Sequence, residues 1–319
     1  MVGRAELLAQ GSFENVRAAG EGAATVCASR VGNDGSVGLA WDLARGVRVG
    51  DPLPGFPCDD EEWAFGVLPG PRGASPVVAW ADGGRVHVHD LYGGDEVVID
   101  DAEASFPDVV GLAVHRGRGA VVTVFDRRPH ADVLVWDART GERLARFDTW
   151  FGYLSPDRHL LHATPDSGPL VALSCESERG KAPSYSMLDV EIEGQVGKLD
   201  RGAPPTPMVP WADGVVLVHG EGGRIVVRRP DGEAVAEGPA PEDAPVVAAA
   251  RAGGRLLVAA GDRRAGAFTA RDDARPEPLG RVEVPGPVGG VALASDGTLV
   301  AATDTGLFRA RVTGSGSGS

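Results

Sequence analysis

The side chains that could carry chemistry sit in short polar stretches between apolar runs. Pro52–Trp63 holds the acidic run Asp59-Asp60-Glu61-Glu62 beside Trp63, and Arg127-Arg128-Pro129-His130 is basic. Thr149–Pro156 holds Trp150, Phe151 and Tyr153, three aromatics in four residues of a chain that is 6% aromatic. Aromatic anchors ringed by charges are the chemistry of recognition rather than of bond breaking. Asp59, Asp60, Trp63, Arg127, Arg128, His130, Trp150, Phe151 and Tyr153 are therefore the candidate binding residues. His87 and His89 lie two apart on an extended segment and face one side, as a metal-binding pair does. No third ligand accompanies them, and no metal or cofactor is assigned. Nucleophile elbows, HExxH and phosphate-binding loops are missing from the sequence. Asp59-Asp60, Asp100-Asp101 and Asp272-Asp273 are neighbours whose side chains point apart on an extended chain, so no catalytic residue is assigned.

The composition narrows the partners. A formal net charge of −14 with a pI near 4.9 disfavours nucleic acid and anionic membranes, which need a positive field. Three cysteines, Cys27, Cys58 and Cys175, show no CxxC spacing and suit neither a disulfide framework nor a zinc knuckle. Cys27 and Cys175 lie inside apolar runs and are expected to be buried. No run approaches the ~20 apolar residues of a membrane span. The expected setting is a monomer in a reducing cytoplasm. Gly314–Ser319 (GSGSGS) reads as an appended flexible linker.

The elements that position these stretches repeat. Asp42, Asp90 and Asp137 are 48 and 47 residues apart, and each has Gly four residues on. Asp bonds its own backbone at the start of a turn, and Gly accepts the left-handed conformation that closes a short hairpin. Weaker copies follow at Ser184–Asp189, Arg224–Arg229, Ala267–Arg271 and Gly306–Val312. Seven copies in the 313 residues before the linker give a period of about 45, that of a four-stranded propeller blade. Continuous apolar runs such as Ala120–Phe125 and Val215–His219 suit strands buried on both faces. A β-helix or a two-domain β-sandwich also has many short strands but lacks this period. Six or eight blades is the alternative count.

VGLAWDLARGVRVGDPL, Val37–Leu53, and VLVWDARTGERLA, Val133–Ala145, resemble WD40-repeat propellers of the divergent bacterial type. Trp41-Asp42 and Trp136-Asp137 stand at the name-giving dipeptide, and Asp90 and Asp189 hold its Asp alone. The Gly-His dipeptide that often opens such repeats is missing. The expected fold is all-β, a seven-bladed propeller of four-stranded antiparallel blades in one domain, 1–313. The N-terminal strand, 5–10, completes the last blade and closes the ring. The resemblance implies a non-catalytic protein- or peptide-binding scaffold that uses its upper face, where the outer-to-inner and second-to-third-strand connections emerge. A propeller enzyme (hydrolase or lyase) or small-ligand binder with a site at the central channel is the alternative.

Overall fold

The computed structural model describes residues 4–19, 25–32, 35–58, 62–103, 106–127, 130–150, 159–162, 168–175, 184–199, 208–211, 214–221, 223–239, 246–252, 255–263, 266–272 and 275–312. Among these residues all regular structure is strand, and no helix is long and apolar enough to cross a membrane. A first strand β1 (Glu6–Gln10) precedes β2 (Ser12–Ala19), β3 (Thr25–Gly32), β4 (Gly35–Asp42) and β5 (Val47–Pro54). Next come β6 (Trp63–Gly70), β7 (Gly73–Asp82), β8 (Arg85–Asp90) and β9 (Glu96–Ile99), then β10 (Val109–His115), β11 (Arg118–Arg127), β12 (His130–Asp137) and β13 (Arg143–Trp150). The chain continues through β14 (His159–His162), β15 (Leu170–Cys175), β16 (Ser184–Asp189) and β17 (Gly194–Leu199). After these stand β18 (Met208–Trp211), β19 (Gly214–Glu221), β20 (Arg224–Arg228) and β21 (Ala234–Pro239). The last are β22 (Val246–Ala252), β23 (Arg255–Asp262), β24 (Ala267–Asp272), β25 (Arg275–Glu283), β26 (Val288–Leu293), β27 (Thr298–Thr303) and β28 (Gly306–Arg311).

The strands associate in four-stranded sheets of consecutive neighbours, except that β1 joins the far end of the chain in the order β1-β28-β27-β26. Glu6 stands opposite Arg309 and Gln10 opposite Gly306. In six sheets the antiparallel register is described between every neighbouring pair: β2–β5, β6–β9, β10–β13, β14–β17, β22–β25 and β26–β28 with β1.

The expectation of seven blades is corrected here. Six blades are complete in this sense. The sheet β18-β19-β20-β21 differs, with register described through β19, β20 and β21. The chain also divides into two compact units inside that sheet. One unit is Met1–Pro54, Leu217–Arg228 and Ala234–Ser319; the other is Gly55–Val216 with Arg229–Glu233. A physical reason lies in the β20–β21 hairpin. Its tip, Arg229–Glu233, packs on β17, where a Cβ on Gly197 would stand 3.0 Å from the Pro230 carbonyl. The tip therefore belongs to one unit and the strands that carry it to the other.

Each unit is held by apolar faces pressed between blades. In the first, Phe13, Val26, Ala28 and Trp41 pack with Ala292, Val300 and Leu307. Leu257, Ala259 and Val282 meet Val291, Leu299 and Ala301. The approach of β2 to β26 is close enough that a Cβ on Gly290 would lie 2.8 Å from the Val16 nitrogen. In the second unit β6–β9 packs on β10–β13 through Ala79, Val88 and Ile99 against Leu112, Leu134 and Trp136. The other face of β10–β13 packs on β14–β17. Trp136 is buried and its indole N–H donates to Thr123 Oγ1 at 3.0 Å, so the repeat's Trp serves the core. Cys27 is also buried, and loss of water pushes its thiol up to about 12, which makes it inert.

The third-to-fourth-strand hairpins show why Asp and Gly recur four apart. Asp137 Oδ1 accepts from the N–H groups of Arg139 and Thr140, and the Gly141 N–H donates to the Asp137 carbonyl at 2.9 Å. Asp90 accepts in the same way from Tyr92 and Gly93, and Asp189 from Glu191 and Ile192. Burial alone acts to raise the Asp90 pKa. Hydrogen bonds from Ser75 Oγ and the Gly93 and Tyr92 N–H groups, with the charge of His89, outweigh it and hold the carboxyl below its ordinary value.

Candidate interaction face

The antiparallel register carries the start of β6, the end of β7, the start of β8 and the end of β9 to one end of their blade. Trp63 pairs with Trp80, Asp82 with Arg85 and Val86 with Ile99. The corresponding end of the next blade is marked by Val109 opposite Val124, Arg127 opposite His130 and His130 opposite Trp150. Connections from both blades meet there, all within the second unit. Gly55, with φ of 67°, lies so close to the Asp82 carboxylate that a Cβ would collide with it. Arg85 pairs with Asp100 at 3.1 Å.

Beneath this end lies an aromatic stack. Phe56 meets Trp63 edge-on at 4.9 Å and Trp80 at 5.7 Å, and Trp80 stacks on His87 at 5.0 Å. Phe56, Trp63 and Trp80 are all buried. The Trp80 Nε1 has no hydrogen-bond partner among the described residues. His87 Nδ1 is 3.0 Å from Glu96 Oε1, so stacking and this contact occupy His87. No group of three potential metal ligands occurs among the described residues.

Above the stack the β9–β10 connection presents Phe106. Its side chain is 76% exposed, and its backbone is left-handed, with φ of 57°. The ring lies over Gly84 in the β7–β8 turn, 3.1 Å from where a Cβ would stand. Exposure and strain in one bulky residue carry a cost that folding alone does not require. Three residues earlier, Glu103 reaches across to the next blade. Its two oxygens accept from Arg143 and from Arg146, the latter at 2.9 Å. Arg146 also bonds Asp132 at 3.2 Å, and Arg127 pairs with the same Asp132 oxygen at 3.0 Å. Three guanidinium groups thus pair with Glu103 and Asp132, and Asp148 stands directly opposite Asp132 on the neighbouring strand. The arginine side chains remain 43%, 44% and 60% exposed at positions 143, 146 and 127.

The residues that the sequence singles out fall in four groups. Arg127 and His130 lie on this end of the unit, and His130 Nδ1 is 3.5 Å from Asp148 Oδ2. Trp63 is at the same end but fully buried, so it supports the face from below and is not itself displayed. The Trp150 backbone closes β13 opposite His130. Asp59, Asp60, Arg128, Phe151 and Tyr153 lie outside the described residues. Sequence reasoning missed Phe106, Glu103, Asp132, Arg143 and Arg146. A lone Phe in the Asp100–Asp108 connection, among only nine in the chain, is the signal that could have found the first. The arginines sit on an outer strand, where charge is ordinarily a solvated edge.

No family profile matches the chain, and no curated protein matches it in sequence. Solved structures do match in fold. The β-propeller domain of Cps50 (Swd1) from Myceliophteria thermophila aligns with TM-score 0.64 at 13% identity, over 97% of this chain and 100% of that one. U3-55K aligns with TM-score 0.63 at 11% identity, over 96% and 98%. The Dos1 propeller aligns with TM-score 0.58 at 12% identity, over 97% and 94%. The fold is that of WD40-type β-propellers.

Proposed function

We propose that the chain is a non-catalytic scaffold that binds a protein or peptide on the connection face of its second unit. The observation that carries this reading is Phe106, displayed in a left-handed conformation where the connections of two blades meet. A large aromatic held open among charged neighbours is the composition of an interface centre. Arg127 and His130 stand on the rim of this face, and Trp150 reaches its edge through the β13 backbone. The resemblance to WD40 repeats points to the same set of loops.

Affinity capture from the native cell with the wild type and with Phe106→Asp tests the reading. A partner retained by the wild type should fall at least about tenfold in the variant, as for an interface hot spot. Equal retention overturns the choice of face. Recovery of a metal or metabolite without any protein partner overturns the scaffold reading in favour of a small-ligand site.

A further inference from the structure

We infer that Asp82–Gly83, in the turn beneath Phe106, is a site of spontaneous covalent modification, where Asp82 converts to isoaspartate through a cyclic imide formed with Gly83. The inference is independent of the scaffold reading and concerns the turn under its central residue. In the reaction the Gly83 backbone nitrogen attacks the Asp82 side-chain carboxyl carbon in its protonated form. The N–Cγ bond forms, the Cγ–OH bond breaks, and the hydroxyl leaves as water with the proton from the nitrogen. Water then opens the ring at either carbonyl. Opening at the α-carbonyl leaves the main chain running through Cγ, one carbon longer. Water is the only co-reactant.

Glycine after aspartate is the first requirement, because it has no side chain to block the attack. Among the described residues Asp82–Gly83, Asp231–Gly232 and Asp296–Gly297 meet it. The structure separates them. Asp231 Oδ1 accepts from the Glu233 N–H at 2.9 Å, and the Gly232 N–H donates to the Arg229 carbonyl at 2.9 Å. Asp296 Oδ1 accepts from the Thr298 N–H at 2.9 Å, and the Gly297 N–H donates to the Ala294 carbonyl at 2.9 Å. In both pairs the carboxyl and the attacking nitrogen sit in separate hydrogen bonds that must break before the ring closes. Asp82–Gly83 carries neither restraint. Among the described residues the Asp82 side chain makes no hydrogen bond or ion pair, and the Gly83 N–H makes no hydrogen bond. Both residues are exposed, so water reaches the ring. Gly83 and Gly84, at φ of 56° and 84°, close the β7–β8 hairpin between Asp82 and Arg85, and their freedom lets the turn adjust as the ring forms. The Phe106 ring lies over Gly84, so the added carbon enters the support of that ring.

The test is incubation of the folded full chain at neutral pH, followed by peptide mapping with electron-transfer fragmentation, which tells isoaspartate from aspartate. Isoaspartate should build up at Asp82 at least about fivefold faster than at Asp231 or Asp296, the factor to which one net hydrogen bond corresponds. In the chain unfolded in urea the rates should converge, because the turns no longer separate them. Asp82→Glu should remove the signal at that position and leave the other two unchanged, since the longer side chain closes a larger ring far more slowly. Thermal unfolding checks that this variant remains folded. Equal or slower build-up at Asp82 in the folded chain overturns the inference, and so does the absence of isoaspartate there. A lead for Asp82 that persists unchanged in urea also overturns it, because local sequence and not the turn is then the cause. Each of these outcomes leaves the scaffold reading to the capture experiment.

Discussion

Four residues after each hairpin Asp the backbone turns left-handed: Gly46, Gly94 and Gly141 have φ of 66°, 68° and 70°. In the fourth copy that position is Glu193, at φ of 60°. The turn geometry has been kept although the glycine has moved one place on, to Gly194. A side chain in this conformation costs roughly 1–2 kcal/mol, and glycine gives back part of that through its greater freedom in the unfolded chain. Glu193→Gly is therefore expected to stabilise the protein by about 0.5–1 kcal/mol. Chemical denaturation should show a higher midpoint at an unchanged slope. An equal or lower midpoint means the turn is not strained. The hairpins were legible in the sequence because their causes are local, an Asp that caps and a residue that turns. The role of Trp63 was not. It stands beside an acidic run and reads as a displayed anchor, but Phe56 and Trp80 bury it, and Trp80 is contributed by the neighbouring strand.

The strands themselves were legible for the same reason. Continuous apolar runs mark strands covered on both faces, and β10 and β11 are buried almost throughout as their sequences require. The division inside β18–β21 was not legible, because it depends on the hairpin tip at Pro230 resting on β17, a contact between segments far apart in the chain. The N-terminal strand gives an element-scale expectation. β1 pairs along β28, and Leu307 and Phe308 of that strand, opposite Ala9 and Leu7, belong to the apolar clusters of the first unit. Deleting residues 1–11 uncovers Leu307 and strips the ladder from β28. Re-exposing one buried leucine alone costs about 1.5–3 kcal/mol. The deletion should lower the thermal midpoint of the first unit by several degrees, read by far-ultraviolet circular dichroism and Trp41 fluorescence. A midpoint equal to that of the full chain means that β1 contributes nothing to the sheet.

At the scale of the molecule, likeness to propellers survives at 11–13% identity. The blade needs a pattern of apolar runs and turns rather than particular residues, which is why the sequence reveals the fold and leaves the partner obscure. Net charge acts at this scale too. The chain carries −14, a field that acts on any charged partner as it approaches. An acidic partner is repelled at long range, and a basic one is attracted. Screening lengths shorten from about 30 Å at 0.01 M salt to about 8 Å at 0.15 M. Added salt therefore weakens the repulsion of an acidic partner and the attraction of a basic one. Association of an acidic partner should speed up by roughly two- to fivefold across that range, the reverse of the slowing seen when opposite charges steer an encounter. Dissociation should quicken in Phe106→Ala with little change in association, because an apolar side chain acts only after contact. Stopped-flow or surface-binding kinetics at several salt concentrations measures both rates. A fall of the association rate of an acidic partner with salt means that repulsion by the whole chain does not govern the approach.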